Sequence, residues 1–363
     1  MSMQPGSPEG GAESSLGELQ GLMLLKRSAG ALALDGAGAV RLPSVQAPSL
    51  EGLSVAVPAR APVTEEDILE RFDALCHERA PRRERAPGEE VAAGDEVLLD
   101  VVGYANGRLI PFSVRADWWA DVTPEPLLPG FFEAMVGAVV GLSLGVELVL
   151  PETYAVASLR GATARFIVDI RAAREVTPLQ AGPEELVRLL DSGDTLDDVL
   201  RNLAEELVEE REVAARRELQ ERVLDALVER TDVEVPQGLI DEEIRHRWAV
   251  VECPVLVEKE FNSDELAEAW EGWRNDATTR LDAEWRLKAA LALQAIAVRD
   301  GVRPAYADAE ALHDAVTEAA NARSDELGKL FDSSPAVLQR FENLVMHAAV
   351  LDHVLSKMAL TFE

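Results

Sequence analysis

The chain has 363 residues, of which 47% are hydrophobic and 28% charged, and its formal net charge at pH 7 is −31. This length and composition are typical of a soluble globular protein with two or three domains. The strong negative charge argues against broad binding of nucleic acid, because most of such a surface would repel phosphate.

Neither the cysteines nor the histidines have the spacing of a metal site. Cys76 and Cys253 lie far apart and outside any CxxC or Cys/His motif, which favours two reduced thiols. His347 and His353 are six residues apart and would not share a helix face. The first residues lack the basic and apolar regions of a signal peptide, and no apolar run is long enough to span a membrane. We therefore expect a cytoplasmic protein with no metal, no cofactor and no membrane partner.

The chain begins with two segments of low regularity. Residues 1–50 are rich in Gly, Ala, Ser and Pro with one apolar island, "LQGLMLLK", and predict a disordered or weakly structured tail. A strand–helix linker segment follows at 51–88. Alternating apolar letters in "LSVAV" predict its strand, and Thr64 three residues before Asp67 predicts the N-cap of its helix. The last part, "RAPRRERAPGEE", predicts a charged linker.

Strand patterns dominate the next segment, residues 89–178. "DEVLLDVVGY" and "GRLIPFSV" flank an Asn-Gly pair, which is the strongest short signal for a β-hairpin. In "ATARFIVDIRAA" the apolar side chains of Phe166, Val168 and Ile170 fall on one face of a strand, opposite charged residues. The pattern predicts an antiparallel sheet.

The stretch "EPLLPGFFEAMVGAVVGLSLG" interrupts these strands. Its apolar residues recur at steps of three and four, which predicts one short helix. Gly137 and Gly141 would each cost that helix about 1 kcal/mol relative to alanine. We interpret them as points where the helix is pressed closely against the sheet. A sheet with one short helix makes 89–178 an α+β module.

Residues 182–363 are almost entirely helical in pattern. A run of about thirty-six residues without Gly or Pro starts at Thr195 and would be about 54 Å long as one helix. "DVEVPQGLIDEEI" breaks it, a second long helix is expected from Ser263 to near Gly301, and a last one from Pro335. Such helices form either a closed bundle or an extended scaffold with open concave faces.

Motifs of known enzyme classes are missing from the sequence. It has no Walker loop, no GxGxxG after a strand, no GxSxG and no HExxH. Asp and Glu number 66, so a single pair of carboxylates carries no information about catalysis.

Three stretches together carry a family resemblance. "LLPGFFEAMVGAVVGLSLG" followed by "ELVLPETYAVASLRGATARFIVDI" resembles the FKBP-type prolyl isomerases, and most closely the version found in trigger factors, the bacterial folding chaperones. "VLDALVERTDVEVPQGLIDEEI" is similar to the trigger factor arm, and "LEGLSVAVPARAPVTEEDILERFDAL" to the segment before the isomerase domain. The resemblance implies an α+β protein: an FKBP-like antiparallel sheet with one short helix, and an elongated all-α domain of long helical arms.

The resemblance also implies a pocket for a prolyl ring in the sheet module. The positions that match the family's pocket are Trp118, Leu127, Leu128, Phe131, Tyr154 and Phe166. Rotation about a prolyl bond faces the barrier of amide resonance, and a dry pocket that favours the twisted amide accelerates it without a nucleophile or a metal.

The sequence departs from the family at two places. Val101 replaces a usual aromatic residue, and Ile110-Pro111 replaces an aromatic–acidic pair, so we expect weak or lost isomerase activity with peptide binding kept. The Gly-Phe-Arg signature of the ribosome-docking domain is not found in residues 1–50. Docking on the ribosome is therefore not supported.

We expect a ribosome-independent chaperone whose helical arms cradle unfolded or nascent-like client proteins. The apolar positions assigned to client contact are Leu239, Ile240, Trp270, Trp273, Trp285, Leu344, Val345 and Leu351. Two other hypotheses stay open: a working prolyl isomerase whose arms deliver substrate, and an assembly or scaffold factor for one partner with an inactive pocket. The sequence also leaves a homodimer open.

Overall fold

The computed structural model describes residues 42–57, 59, 61–106, 108–110, 113–124, 128–154, 159–304, 310, 313 and 335–362. They form two compact units. The sheet unit comprises the described parts of Pro58–Glu218 and Glu258–Gly272. The helical unit comprises the described parts of Met1–Val57, Leu219–Val257 and Trp273–Glu363. These units divide the chain differently from the domain ranges expected from sequence, which stay predictions.

The elements in chain order are β1 (Ser54–Val57), α1 (Glu65–Glu78), β2 (Arg82–Glu84), β3 (Glu96–Ala105), β4 (Arg108–Leu109), β5 (Arg115–Asp121), a 3₁₀ turn (Glu133–Met135), β6 (Ser143–Val149), β7 (Thr163–Val176), α2 (Pro183–Leu190), α3 (Leu196–Glu229), α4 (Gln237–Val251), α5 (Cys253–Glu258), α6 (Ser263–Asn275), α7 (Ala277–Asp300), α8 (Pro335–Lys357) and β8 (Ala359–Phe362). The expected α+β class is confirmed. Among the described helices, none combines the length and the apolar character needed to cross a bilayer.

A six-stranded antiparallel sheet forms the core of the sheet unit. Its path runs β2-β7-β3-β4, with β5 paired to β3 and β6 paired to β7. Buried and exposed residues alternate along β7, with Phe166, Val168 and Ile170 on the buried face as predicted. The predicted hairpin is confirmed, because Ala105 pairs with Arg108 and Asn106 takes a φ of 54°.

The glycine-rich stretch is not a helix, so that prediction was wrong. The described part contains only the 3₁₀ turn Glu133–Met135 before β6 begins. Gly130, Gly137 and Gly141 have φ values of 89°, 82° and 92°, and no neighbouring atom lies within 4 Å of where their Cβ would be. These glycines therefore serve left-handed backbone rather than close packing. The apolar residues that recur at steps of three and four lie in an irregular loop. This loop places its aromatic residues in the core.

The predicted charged linker contains an edge strand. Arg82 pairs with Val176 where β2 meets β7. Just beyond β2, Arg85 Nε lies 2.5 Å from Oδ2 of Asp95, whose side chain is buried. The pair compensates the cost of burying the Asp95 carboxylate. The many charged residues made this strand difficult to recognise in the sequence. An edge strand is partly open to solvent and can therefore carry charged side chains.

Helix ends follow the capping signals of the sequence. Asp67 N–H donates to Thr64 Oγ1 at 3.2 Å, and Thr64 N–H donates to Asp67 Oδ2 at 2.7 Å, which confirms the predicted N-cap of α1. The long run after Thr195 forms α3, of 34 residues. The helix expected from Ser263 to Gly301 is split into α6 and α7, because Asp276 leaves the helical conformation and caps α7 through Thr279 N–H.

The helical unit has its own apolar core. Side chains of α3, α7 and α8 pack there with Leu53, which precedes β1, and with Val55 of β1. β1 is held by parallel pairing with β8, in which Ser54 lies opposite Ala359. The strand predicted in "LSVAV" is confirmed, and its partner is the chain's last described segment.

Candidate functional site

An aromatic cluster lies in the sheet unit, where the pocket was expected. The rings of Phe131 and Phe166 meet edge to face with centroids 5.3 Å apart, and Phe131 and Phe132 do so at 5.1 Å. Trp118 packs on Phe132 with a centroid distance of 5.8 Å. These tilted arrangements are the favoured ones for aromatic pairs.

The structure brings five of the six predicted pocket residues to one core. Phe131 and Phe166 are buried at 1% and 3% exposure, as the floor of the predicted pocket would be. Trp118, Leu128 and Tyr154 are half-buried and pack against the same core, as its accessible wall would be. The sixth, Leu127, lies outside the described residues. The placement agrees with a pocket, while the ligand-binding role of each residue stays a prediction.

Phe132 is a member of this cluster that the sequence reasoning missed. It joins Trp118 to Phe131 and is itself buried. The sequence signal for Phe132 was the pair of phenylalanines directly after Pro-Gly. A turn can place two adjacent side chains in one core, whereas a helix would point them in different directions. Gly130 makes that turn, and Phe131 N–H donates to Leu128 O at 3.0 Å.

Phe166 is positioned by the strand beside it. Gly103 of β3 lies opposite Phe166 of β7, and the ring occupies the space that a side chain at Gly103 would fill. Ser113 closes this arrangement through its hydroxyl, which accepts from Gly103 N–H and donates to Gly103 O, both at 3.1 Å.

Tyr154 supplies the one phenol among these residues. Burial raises the pKa of Tyr154 above its usual value, against a smaller opposing effect of the Arg115 charge. The phenol therefore stays protonated at neutral pH and can donate a hydrogen bond. Its backbone is fixed by bonds from Tyr154 N–H to Pro151 O and from Arg160 Nε to Tyr154 O, both 2.9 Å long.

Two neighbouring tryptophans of β5 have different environments. Trp118 faces the aromatic core, and Trp119 faces the opposite side of the sheet, where it is 36% exposed. The guanidinium of Arg174 lies 3.9 Å from the centre of the Trp119 ring. The alternation of a strand thus separates a pocket residue from a surface residue one position away.

The two departures from the family pattern lie in the core. Val101 and Ile110 are buried at 3% and 1% exposure and belong to the same cluster as Phe131. Ile110 stands where the family has the aromatic member of an aromatic–acidic pair, and Pro111 stands where it has the acidic member, so the sequence offers no acidic handle there to a peptide. Pro111 lies outside the described residues.

One cluster of metal-type ligands occurs in the described part of the chain. His77, Glu96 and Asp121 each offer a ligand atom within 4.8 Å of the others. Arg82 donates to both carboxylate oxygens of Glu96, with Nε 2.8 Å from each. The guanidinium takes the place beside Glu96 that a cation would need, so we interpret the cluster as an ion-pair network.

The eight positions assigned to client contact fall into two groups. Six are buried, with exposures of 5% or less: Leu239, Ile240, Trp273, Leu344, Val345 and Leu351. The other two are half-buried, Trp270 in the sheet unit and Trp285 in the helical unit, where its indole N–H donates to Asp225 at 2.8 Å. Client contact through the buried six would require the core to open.

Comparison with known proteins shows which family this chain is similar to. Residues 195–356 match the family model of the bacterial trigger factor protein C-terminus. The chain is 29% identical over 245 residues to the trigger factor of Halothermothrix orenii, which covers 66% of this chain and 56% of that protein. The chain is therefore similar to the trigger factors, and its C-terminal part matches their family model. It spans little more than half the length of the Halothermothrix orenii protein.

Other relatives agree with this family. The chain is 27% identical over 309 residues to the trigger factor of Geobacter sulfurreducens, covering 85% of this chain and 70% of that protein. A solved structure described as "Promiscuous Substrate Recognition in Folding and Assembly Activities of the Trigger Factor Chaperone" aligns with a TM-score of 0.36 and 16% identity, over 87% of this chain and 73% of that one. A TM-score this low adds nothing to the family match.

Proposed function

We propose that this trigger factor relative is a molecular chaperone that binds unfolded or partly folded polypeptides. The match of residues 195–356 to the trigger factor C-terminus is the observation that carries the proposal. The net charge of −31 supports it, because a strongly charged carrier stays soluble while it holds apolar chains. Of the predicted contact residues, Trp270 and Trp285 are the ones that a client reaches without opening a core.

A second activity is proposed for the sheet unit: binding of Xaa-Pro segments above Phe131. The half-buried Trp118, Leu128 and Tyr154 would flank a prolyl ring, and the protonated Tyr154 hydroxyl would donate to a carbonyl of the peptide. An apolar site of this kind favours the twisted amide, which carries less charge separation than the planar one. Because Pro111 stands where the family has an acidic rim residue, we expect binding with slow or no turnover.

The chaperone proposal is tested by diluting a chemically denatured protein into buffer with and without the intact chain. Suppression of light scattering at near-stoichiometric amounts is expected. A folded acidic protein of similar size and net charge is the control, because charge alone can slow aggregation. Equal scattering with the two proteins would rule out general chaperone action.

Xaa-Pro binding is tested by titrating a fluorescent Leu-Pro peptide with the intact chain and its variants. Trp118→Leu and Tyr154→Phe should each weaken binding at least several-fold. Trp119→Leu is the matched control, since it removes an indole from the next position of the same strand and should leave the affinity unchanged. Loss of binding in the control alone would contradict the assigned pocket. Exchange spectroscopy on the same peptide reports any isomerisation.

A competing function is assembly or scaffolding of one dedicated partner with an inactive isomerase domain. The departures from the family pattern favour it, because Val101 and Ile110 replace aromatic residues and Pro111 replaces an acidic one. Affinity purification that returned a single stoichiometric partner, together with no suppression of aggregation, would establish this alternative. Ribosome independence stays part of the proposal and is tested by co-sedimentation of the chain with vacant ribosomes.

A further inference from the structure

A cavity of about 740 Å³ opens in the helical unit between α7, α8 and the start of the described chain. Its walls are mainly apolar and include Ala297, Val302, Phe341, Val345 and Met346. Val298 lines it with 79% of its surface exposed, the highest value among the large apolar side chains that the structure describes. An apolar cavity with an exposed apolar lip is typical of a surface that another apolar segment covers.

The chain itself leads into this cavity. Leu42, the first described residue, lines it and is 39% exposed. The residues after Leu42 are fixed to the helical unit through their carbonyl groups: Arg299 donates to Pro48 O at 2.8 Å, and Arg230 donates to Ser49 O at 3.0 Å. The segment is thus anchored a few residues from the cavity, and residues 1–41 precede it in the chain.

Those 41 residues carry a matching apolar segment. Residues 16–26, "LGELQGLMLLK", contain four consecutive Leu or Met residues, a run that does not occur elsewhere in 1–41 or in 305–334. The segment ends in Lys26, followed by Arg27, while Glu342 lines the cavity, so charge at the rim is complementary. Leucine and methionine side chains also adapt to irregular apolar walls.

We propose that residues 16–26 of this chain occupy the cavity lined by Leu42, Val298 and Phe341. Leu25 lies seventeen positions before Leu42, a reach of up to about 56 Å, so the connection imposes no geometric limit. A tether of this length gives an effective concentration on the order of millimolar, far above that of a second copy or of a free peptide in dilute solution. The inference does not depend on the proposed chaperone function.

Disulfide trapping in the full chain tests this docking. Cys76 and Cys253 are replaced by serine, and Leu24→Cys is combined with Val298→Cys at the cavity lip. The control pair is Leu24→Cys with Leu281→Cys, which lies on the same helix, is 67% exposed and is about 25 Å from Val298. Circular dichroism establishes that both variants keep the parent's unfolding temperature.

Under mild oxidant at low protein concentration, the Val298 pair should form an intramolecular disulfide at least tenfold faster than the Leu281 pair. Replacing Leu22, Met23 and Leu25 with serine as well should remove the difference in rate between the two pairs. Equal rates for the two pairs would overturn the proposal. Disulfide-linked dimers in place of the intramolecular product would instead assign the cavity to a second copy and would also overturn it.

Discussion

Gly103 and Phe166 lie opposite each other on β3 and β7, and a Cβ added to Gly103 would come within 2.6 Å of Cε1 of the Phe166 ring. It would also lie 2.9 Å from Ser113 Cβ. The absence of a side chain at Gly103 thus allows Phe166 to reach Phe131 and form the floor of the aromatic cluster. A backbone position on the neighbouring strand of the sheet thus decides the shape of the candidate site.

Gly103→Ala is therefore expected to lower the free energy of unfolding by about 1–3 kcal/mol, because the new methyl group overpacks a core with no free volume on that side. Denaturant titration followed by circular dichroism measures the effect. Gly145→Ala is the control in the same sheet, since its nearest neighbour is the Arg165 side chain at 3.8 Å. A loss in the control as large as in Gly103→Ala would show that steric overlap with Phe166 is not the cause.

Substitutions of Trp273 and Trp270 distinguish a role in the folded core from a role in client binding. Trp273 is 1% exposed, so Trp273→Ala should lower the free energy of unfolding by about 3–5 kcal/mol. Trp270 is half-buried, and Trp270→Ala should cost less stability. If Trp270 contacts clients, its variant will lose suppression of aggregation at a temperature where it is still folded. Full suppression by Trp270→Ala would remove that residue from the client surface.

Lys259 ties the segment Glu258–Gly272 to the sheet within one unit. Its ammonium nitrogen lies 2.6 Å from Asp100 Oδ2. Burial raises the pKa of Asp100, but Lys259, the Asp117 N–H and Arg171 outweigh that effect and hold the pKa below its usual value. A double-mutant cycle with Lys259→Met and Asp100→Asn should give a coupling energy of about 1 kcal/mol that shrinks at high salt.

The exposed pair Arg83 and Glu175 is the matched control for that cycle. The side chains of Arg83 and Glu175 are 53% and 43% exposed, so a smaller coupling energy than for Lys259 and Asp100 is expected. Both coupling energies are measured at low salt. If the value for Lys259 and Asp100 is no greater than the value for Arg83 and Glu175, the contact of Lys259 with Asp100 contributes no more than a surface ion pair.

Asp300 at the end of α7 should make the stability of the helical unit depend on pH. A hydrogen bond from Arg299, with weaker contributions from His353 and Lys357, holds the pKa of Asp300 well below its usual value of 3.8. A carboxyl whose pKa is lower in the folded state stabilises the fold above its unfolded pKa, and this stabilisation is lost as pH falls from about 4 toward the folded value.

Asp300→Asn should therefore be less stable than the parent at pH 6 and should lose less stability between pH 4 and pH 2. Thermal unfolding across this range measures both quantities. Asp232→Asn removes an exposed carboxylate of the same unit and serves as the control for net charge. Parallel curves for the parent and Asp300→Asn would contradict the assigned contribution.

Local patterns predicted most of the elements. Alternation along β7, the Asn-Gly turn and the capping box at Thr64 each depend on residues a few positions apart, and the structure confirms all three. The resemblance to a family also selected five residues that the structure places around one core, while their role in a pocket stays a prediction. Phe132 was missed because an apolar spacing of three and four was assigned to a helix.

The sequence by itself determined the class of the fold, the long helix α3 and the family, because these depend on periodicity and on motifs contained in single stretches. Tertiary structure decided what those stretches contact. Ser54 pairs with Ala359 across more than three hundred intervening residues, and no local pattern specifies such a partner. Gly137 and Gly141 permit left-handed turns, not close approach, since only the path of the backbone distinguishes the two uses of a glycine.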